Sequence, residues 1–268
     1  MIISARERRT MISQQLASLG EIDFATLAEE FEVSEMTIRR DIENLEEQGL
    51  LRKVMGGAIS LVGKDNEPPF EARALLASVE KVHLAEFVVG MLEPNETVIL
   101  DGGSTVLAVA KAIKGKSLGL TIVTPSLLAA LELADEPDTS VLVTGGRVRP
   151  GEMTLIGPEA ATSFLNYNCD TYIMGVAGID ESHGASEYHR EEGSVKQHAV
   201  QSADRVIVVV DRSKLGQRKL VNVASLQQID VIVTDADNDH PVLLAAKKLG
   251  VEVYCVPEPV SLNQSNDA

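Results

Sequence analysis

The sequence has no tryptophan, and aromatic residues make up only 3% of its 268 positions. A core built from it must rest on Leu, Ile, Val and Ala, which a 44% hydrophobic content can supply. Cysteine is nearly absent. Cys169 and Cys255 stand alone, without CxxC or any other metal-ligand spacing. That excludes a disulfide framework and a thiolate zinc site; each thiol lies in a strand-like stretch, where a buried free cysteine is expected. No apolar run is long enough to span a bilayer. The basic start MIISARERR has no apolar segment behind it, so no signal peptide is expected either. A reducing, cytoplasmic setting without membrane contact suits these absences. Positive charge is also scarce: the net charge of −16 excludes a general polyanion binder.

The length suggests two domains. Residues 4–59 read as three short helices and a hairpin. Ile12, Leu16 and Leu19 recur at helical spacing before Gly20, and Phe24, Leu27, Ala28 and Phe31 mark a second, shorter helix. Ser34 can cap a third, running to about Gln48. LLRKVMGGAISL then reads as two strands around Gly56-Gly57. Residues 60–72, with KDNEPPF, form a predicted linker, and a helical stretch runs from about Phe70 to Met91. Across 73–257, short apolar strands alternate with helical runs: TVILD, LTIVT, SVLVT, TYIMGV, RVIVVVD, DVIVTD and VEVYCV. This is the pattern of an α/β, Rossmann-like domain with a mostly parallel sheet covered on both faces. The polar tail 258–268 is predicted to be disordered.

The first 60 residues carry seven basic and eleven acidic side chains, so DNA binding depends on where the basic groups point. On the third helix, Ile38, Ile42 and Leu45 share one stripe, which must face the core. Met36 and Arg40 then point away, with Thr37 and Arg39 on the flanks. Thr, Met and two Arg on the outward half suit base edges and phosphates in a major groove. Residues 21–40 have the helix, tight turn and helix order of a helix-turn-helix. Arg52 and Lys53 on the hairpin fit a wing, and Arg6, Arg8 and Arg9 can reach phosphates from the first helix. The alternative is an ordinary surface salt-bridge ladder, because Glu35, Arg39 and Glu43 are spaced i, i+4, i+8.

A second constellation lies further on. A strand ends at Asp101, Gly102 and Gly103 permit a tight turn, and Ser104 and Thr105 open a helix beside its unpaired N–H groups. That combination suits an anion, although a plain helix cap would look the same. Gly145 and Gly146 follow another strand, with Arg147 just beyond. Ligands in open α/β sheets sit outside such strand ends. Lys196 on a later helix and Lys214 after a later strand can complete a cationic, hydroxyl-bearing pocket for a small phosphate; taken singly, each lysine also reads as a solvated surface residue. The loop 178–193 gathers Asp180, Glu181, Glu187, His189, Glu191 and Glu192 and can contact sugar hydroxyls. His183 and His189 lack a zinc motif's spacing, so neither a metal nor a cofactor is expected.

Arg8, Ile12 and Leu16, then a seventeen-residue spacer, then Ser34, Thr37, Ile38, Arg39, Arg40 and Asp41, resemble the N-terminal signature of the DeoR/GlpR regulators. EEQGLLRKVMGGA resembles that family's wing. FEAR, Glu80-Lys81, the Asp101–Thr105 loop, Lys196 and Lys214 extend the resemblance through the chain. It implies a winged helix-turn-helix that binds double-stranded operator DNA. It further implies a sensor domain related to sugar-phosphate isomerases that binds a phosphorylated sugar or polyol without catalysis, in a homo-oligomer, dimer or tetramer. Ser186-Glu187-Tyr188-His189 departs from the family's Thr-Thr-Pro-Asp, which leaves the identity of the effector open. An isomerase with an accessory N-terminal domain, and a protein–protein module built on the winged helix, are the competing readings.

Overall fold

The computed structural model describes residues 5–19, 21–47, 51–60, 67–76 and 78–256. The predicted tail and residues 61–66 of the predicted linker lie outside these. The chain forms two compact units, residues 1–76 and 77–268.

The first unit contains α1 (Ala5–Leu19), β1 (Glu21–Asp23), α2 (Phe24–Glu30), α3 (Glu35–Glu47), β2 (Leu51–Val54), β3 (Gly57–Ser60) and α4 (Phe70–Leu75). Its three strands pair in the order β1-β3-β2, all antiparallel. Asp23 caps α2 by accepting from the N–H groups of Ala25 and Thr26. The chain reverses through Glu32, at φ 52°. Ser34 precedes α3 and accepts from the Thr37 N–H at 3.2 Å, so it caps the helix as its sequence position predicts. The predicted stripe of Ile38, Ile42 and Leu45 is buried against Ile12, Leu16, Phe24 and Leu27.

Two features here were not expected. β1 exists because the wing strand β3 pairs with it, and three residues with one apolar side chain give no periodic signal. Gly57 permits that pairing: a Cβ there would lie 2.2 Å from the Ile22 carbonyl oxygen. The expected continuous helix from Phe70 to Met91 is instead two helices. Leu76 turns extended, with ψ 135°, and ends α4. Ala72 of α4 is fully buried in the first unit's core, so that unit extends past the linker boundary at 72.

The second unit runs α5 (Ser78–Val89), β4 (Thr97–Leu100), α6 (Ser104–Ile113), β5 (Thr121–Thr124), α7 (Leu127–Leu133), β6 (Ser140–Val143), β7 (Arg147–Arg149), β8 (Thr154–Ile156) and α8 (Pro158–Ser163). It continues with β9 (Cys169–Met174), β10 (Gly178–Asp180), β11 (Gly184–Glu187), α9 (Arg190–Gln201), β12 (Ala203–Val210), β13 (Val221–Ala224), β14 (Val231–Thr234), α10 (Pro241–Lys248) and β15 (Glu252–Cys255). Among the described residues, seven strands make one sheet in the order β15-β14-β12-β9-β4-β5-β6. Every pairing in it is parallel, and its seven strands are the seven predicted ones. Side chains alternate between two cores. Val98, Leu100, Ile173 and Ile207 pack with α5 and α6, while Ile99, Tyr172, Val206 and Val208 pack with α8, α9 and α10.

The hairpin β7–β8 and the small antiparallel sheet β10-β11-β13 were not anticipated. Their strands have only three or four residues, too few for a periodic signal, and β13 joins β11 from beyond α9 and β12. Cys169 is buried, and burial pushes its thiol up to about 11. Cys255 corrects the expectation of a buried thiol: it ends the edge strand β15 and is only half-buried.

Candidate DNA interface and ligand site

The outward side of α3 is divided between groups held by the protein and groups left to solvent. Met36 is 69% exposed, and Arg40 is exposed as well. Thr37 shares a hydrogen bond with Ser34 at 2.9 Å. Arg39 lies with its guanidinium 4.8 Å from the centre of the Phe24 ring and pairs with Glu35 at 3.4 Å. The alternative of a salt-bridge ladder therefore has only one rung. Glu43 turns instead to Lys53 of the wing, at 2.5 Å, and Glu46 accepts from the Lys53 N–H. Lys53 is thus part of the joint between wing and helix, while Arg52 is exposed. The side chain of Arg6 lies outside the described residues.

Arg8 corrects the sequence reading. It was expected to contact phosphate from α1, but it is buried and pairs with Asp41 at 2.6 Å. Arg9 approaches the other oxygen of Asp41 at 3.5 Å. The signature positions Arg8 and Asp41 therefore clamp α1 to α3. Beside this clamp lies a groove of about 340 Å³ lined by Arg9, Met36, Thr37, Arg40 and Asn44.

In the second unit the strand order reverses between β4 and β9. The chain runs outward through β5 and β6, then returns to lay β9 on the other side of β4. A doubly wound sheet opens a crevice at that place, beyond the carboxyl ends of its strands. Asp101 directly follows β4 and accepts from the Gly175 N–H at 3.1 Å, just after β9. Lys196 reaches into the crevice from α9. Its ammonium donates to Asp101 at 2.6 Å and to the Gly175 carbonyl at 2.7 Å, and it pairs with Glu187 of β11 at 3.0 Å. All three ionisable groups are buried. Burial alone would lower the Lys196 pKa, but Asp101 and Glu187 hold the ammonium well above its ordinary range. Lys196 is therefore neither a solvated surface lysine nor an unpaired cation. Tyr172 is packed beneath; burial first, then Asp101 and Glu187, keep its hydroxyl protonated.

Gly103, at φ 94°, precedes α6, and no side chain caps that helix. Ser104 is buried and accepts from Lys81 of α5 at 3.2 Å. Thr105 is half-buried beside it. Lys81 lies 23 residues from Ser104 in sequence, and no spacing rule could have assigned it to this site. Gly102 is covered by the β7–β8 hairpin: a Cβ there would lie 2.4 Å from the Thr154 methyl.

The exposed Gly145 and Gly146 lead from β6 into that hairpin, which holds the first turn of α9. Arg147 pairs with Glu191 at 2.7 Å, Arg149 pairs with Glu192 at 2.5 Å, and the Thr154 hydroxyl donates to Glu192 at 2.8 Å. Burial, and next the charge of Glu187, push Glu192 up to about 7 against the pull of Arg149. Lys214 is half-buried in a short 3-10 turn after β12, at the same end of the sheet; among the described residues it has no hydrogen bond or ion pair with the Asp101 group. The stretch read as one loop, 178–193, is the β10–β11 hairpin followed by the start of α9. Asp180 serves that hairpin's turn, accepting from the N–H groups of Ser182 and His183. Glu187, Glu191 and Glu192 do reach the site.

The family description of a DeoR-like helix-turn-helix domain matches residues 8–62, and that of the DeoR C-terminal sensor domain matches residues 77–236. The HTH-type transcriptional regulator YulB of Bacillus subtilis is 30% identical, over 94% of this chain and 96% of its own. The transcriptional repressor AccR of Agrobacterium fabrum is 33% identical over 87% and 90%. The glycerol-3-phosphate regulon repressor of Escherichia coli is 32% identical over 86% and 90%. Among solved structures, ribose 5-phosphate isomerase A of Methanocaldococcus jannaschii aligns with 53% of this chain and 56% of that one, at a TM-score of 0.38 and 14% identity. With both family models matched, over residues 8–62 and 77–236, and relatives about 30% identical over most of their length, the chain belongs to the DeoR family of DNA-binding transcriptional regulators.

Proposed function

We propose that this regulator represses a carbohydrate operon and leaves its operator when a phosphorylated sugar or polyol binds the second unit. The observation that carries the effector reading is the buried Lys81 ammonium directed at Ser104, where α6 starts without a side-chain cap. A helix N-terminus, two hydroxyls and a buried cation at the sheet's switch point fit a phosphate group. Asp101 and Glu187 are both engaged by Lys196, which favours binding over turnover, because an isomerase needs a carboxylate able to take a proton from a sugar carbon.

On the DNA side, Met36, Thr37 and Arg40 read base edges and nearby phosphates, with Arg52 of the wing on the flanking backbone. A homo-oligomer presents two recognition helices to half-sites about one helical turn apart. The effector acts by binding the DNA-free state more tightly, and the coupling is reciprocal.

The test is fluorescence anisotropy of the full chain on its own upstream promoter DNA, titrated with sugar and polyol phosphates and their unphosphorylated counterparts. Release by one phosphorylated compound is the expected result. Binding that no compound disturbs would remove the effector reading. Absence of binding even at low salt would remove the operator reading and bring an isomerase assay forward.

A further inference from the structure

Glu192 holds an unusual position for its place in the chain. It is the third residue of α9, where a glutamate ordinarily turns back to cap its own helix. Here both of its carboxylate oxygens point across to the hairpin instead. One accepts from the Thr154 hydroxyl at 2.8 Å and the other pairs with Arg149 at 2.5 Å. Arg149 and Thr154 are direct cross-strand partners, so together they form one two-point grip on an oxyanion. The Thr154 methyl is the atom that covers Gly102, which places this grip directly over the loop whose next residues open α6. The grip is largely withdrawn from water, with side-chain exposures of 18% for Arg149 and 12% for Glu192. By contrast, the neighbouring pair Arg147–Glu191 is open to solvent, at 67% and 39%.

We propose that Glu192 is a built-in anion, seated in the ligand-free molecule where part of the effector's phosphate binds, and that the phosphate displaces it from Arg149 and Thr154. This rests on the reading of Gly102–Thr105 as the phosphate loop and adds the groups that close over it from the hairpin. Displacement frees Glu192 from the neighbourhood of Glu187 and transfers Arg149 from an internal to an external partner. The hairpin and the first turn of α9 then part, so ligand charge becomes a change in how two elements are joined. A neutral sugar cannot compete for the arginine, which makes this exchange the point at which phosphorylated and unphosphorylated compounds are told apart.

The experiment measures affinity for inorganic phosphate on the full chain, at mildly alkaline pH where Glu192 is ionised, from phosphate-dependent thermal stabilisation. Glu192→Gln keeps the side chain's shape and its bond to Thr154 while removing the competing charge, and is expected to bind phosphate roughly tenfold more tightly. Glu132→Gln, which removes an equal charge from the remote pair with Lys114, is expected to match the parent. Arg149→Met in the Glu192→Gln background is expected to abolish the gain. Unligated melting temperatures of all variants identify any that fail to fold. Phosphate affinity unchanged or weakened by Glu192→Gln, yet lost in Ser104→Val, would overturn the displacement while leaving the phosphate loop in place. Absence of phosphate binding in the parent and in Glu192→Gln alike would overturn both.

Discussion

The two arginines that adjoin each other on α3 do different work. Arg39 lies over Phe24 and against Glu35, whereas Arg40 opens onto the groove beside α1. Arg40→Ala should weaken operator binding and lower the salt dependence of the affinity by about one counterion per protomer, with little change in melting temperature. Arg39→Ala should lower both affinity and stability, and anisotropy combined with thermal unfolding separates the two outcomes. Asp41 is buried between Arg8 and Arg9, so Asp41→Ala strands a buried guanidinium. It should cost the first unit about 3–5 kcal/mol in chemical denaturation, whereas Arg8→Met with Asp41→Leu should recover most of the loss. Glu192 gives a pH signature of the opposite sign to that of an ordinary ion-paired carboxylate. Its folded pKa of about 7 lies above the ordinary glutamate value of 4.5, so the native state holds more protons between those values. Its contribution is fully present below 4.5 and is lost as pH rises through about 7. The second unit's stability should fall over that range, and Glu192→Gln should flatten the slope.

The hairpin β7–β8 holds the candidate ligand site at two places. It covers the Asp101–Thr105 loop through Thr154 and joins α9 through Arg147 and Arg149. Gly102→Ala places a methyl group 2.4 Å from the Thr154 side chain and must push the hairpin away. It is expected to cost about 1–3 kcal/mol and to reduce the response to phosphorylated compounds without altering operator affinity in their absence. Unchanged stability and response would show that the hairpin moves aside without consequence. The helix-turn-helix depends on caps in a comparable way. Asp23 and Ser34 start α2 and α3 on either side of a turn at Glu32 that adopts a left-handed conformation without glycine. Ser34→Ala should cost about 1 kcal/mol of first-unit stability by the loss of one cap.

At the scale of the whole molecule, a net charge of −16 works against any general attraction to DNA. Affinity for random-sequence DNA should vanish by about 0.15 M salt while operator binding persists; comparable affinities for the two would contradict the assignment of Met36, Thr37 and Arg40 as readers. Local pattern was enough to anticipate much of the architecture. Seven apolar runs became one parallel sheet, and the stripe of Ile38, Ile42 and Leu45 was buried as its period required, because burial of periodic apolar residues is a local demand that each segment meets in the same way. The Asp101–Thr105 loop was legible for the same reason: strand end, glycines and hydroxyls are contiguous. Partnerships at long range were not. Arg8 with Asp41, Lys81 with Ser104, Lys196 with Asp101 and Arg149 with Glu192 join residues 33, 23, 95 and 43 positions apart. A charge in the sequence reads alike whether it meets water or another charge. Only the packing of α1 on α3, the pairing of β4 with β9 and the folding of the hairpin onto α9 determined which cations are neutralised inside the protein and which face solvent.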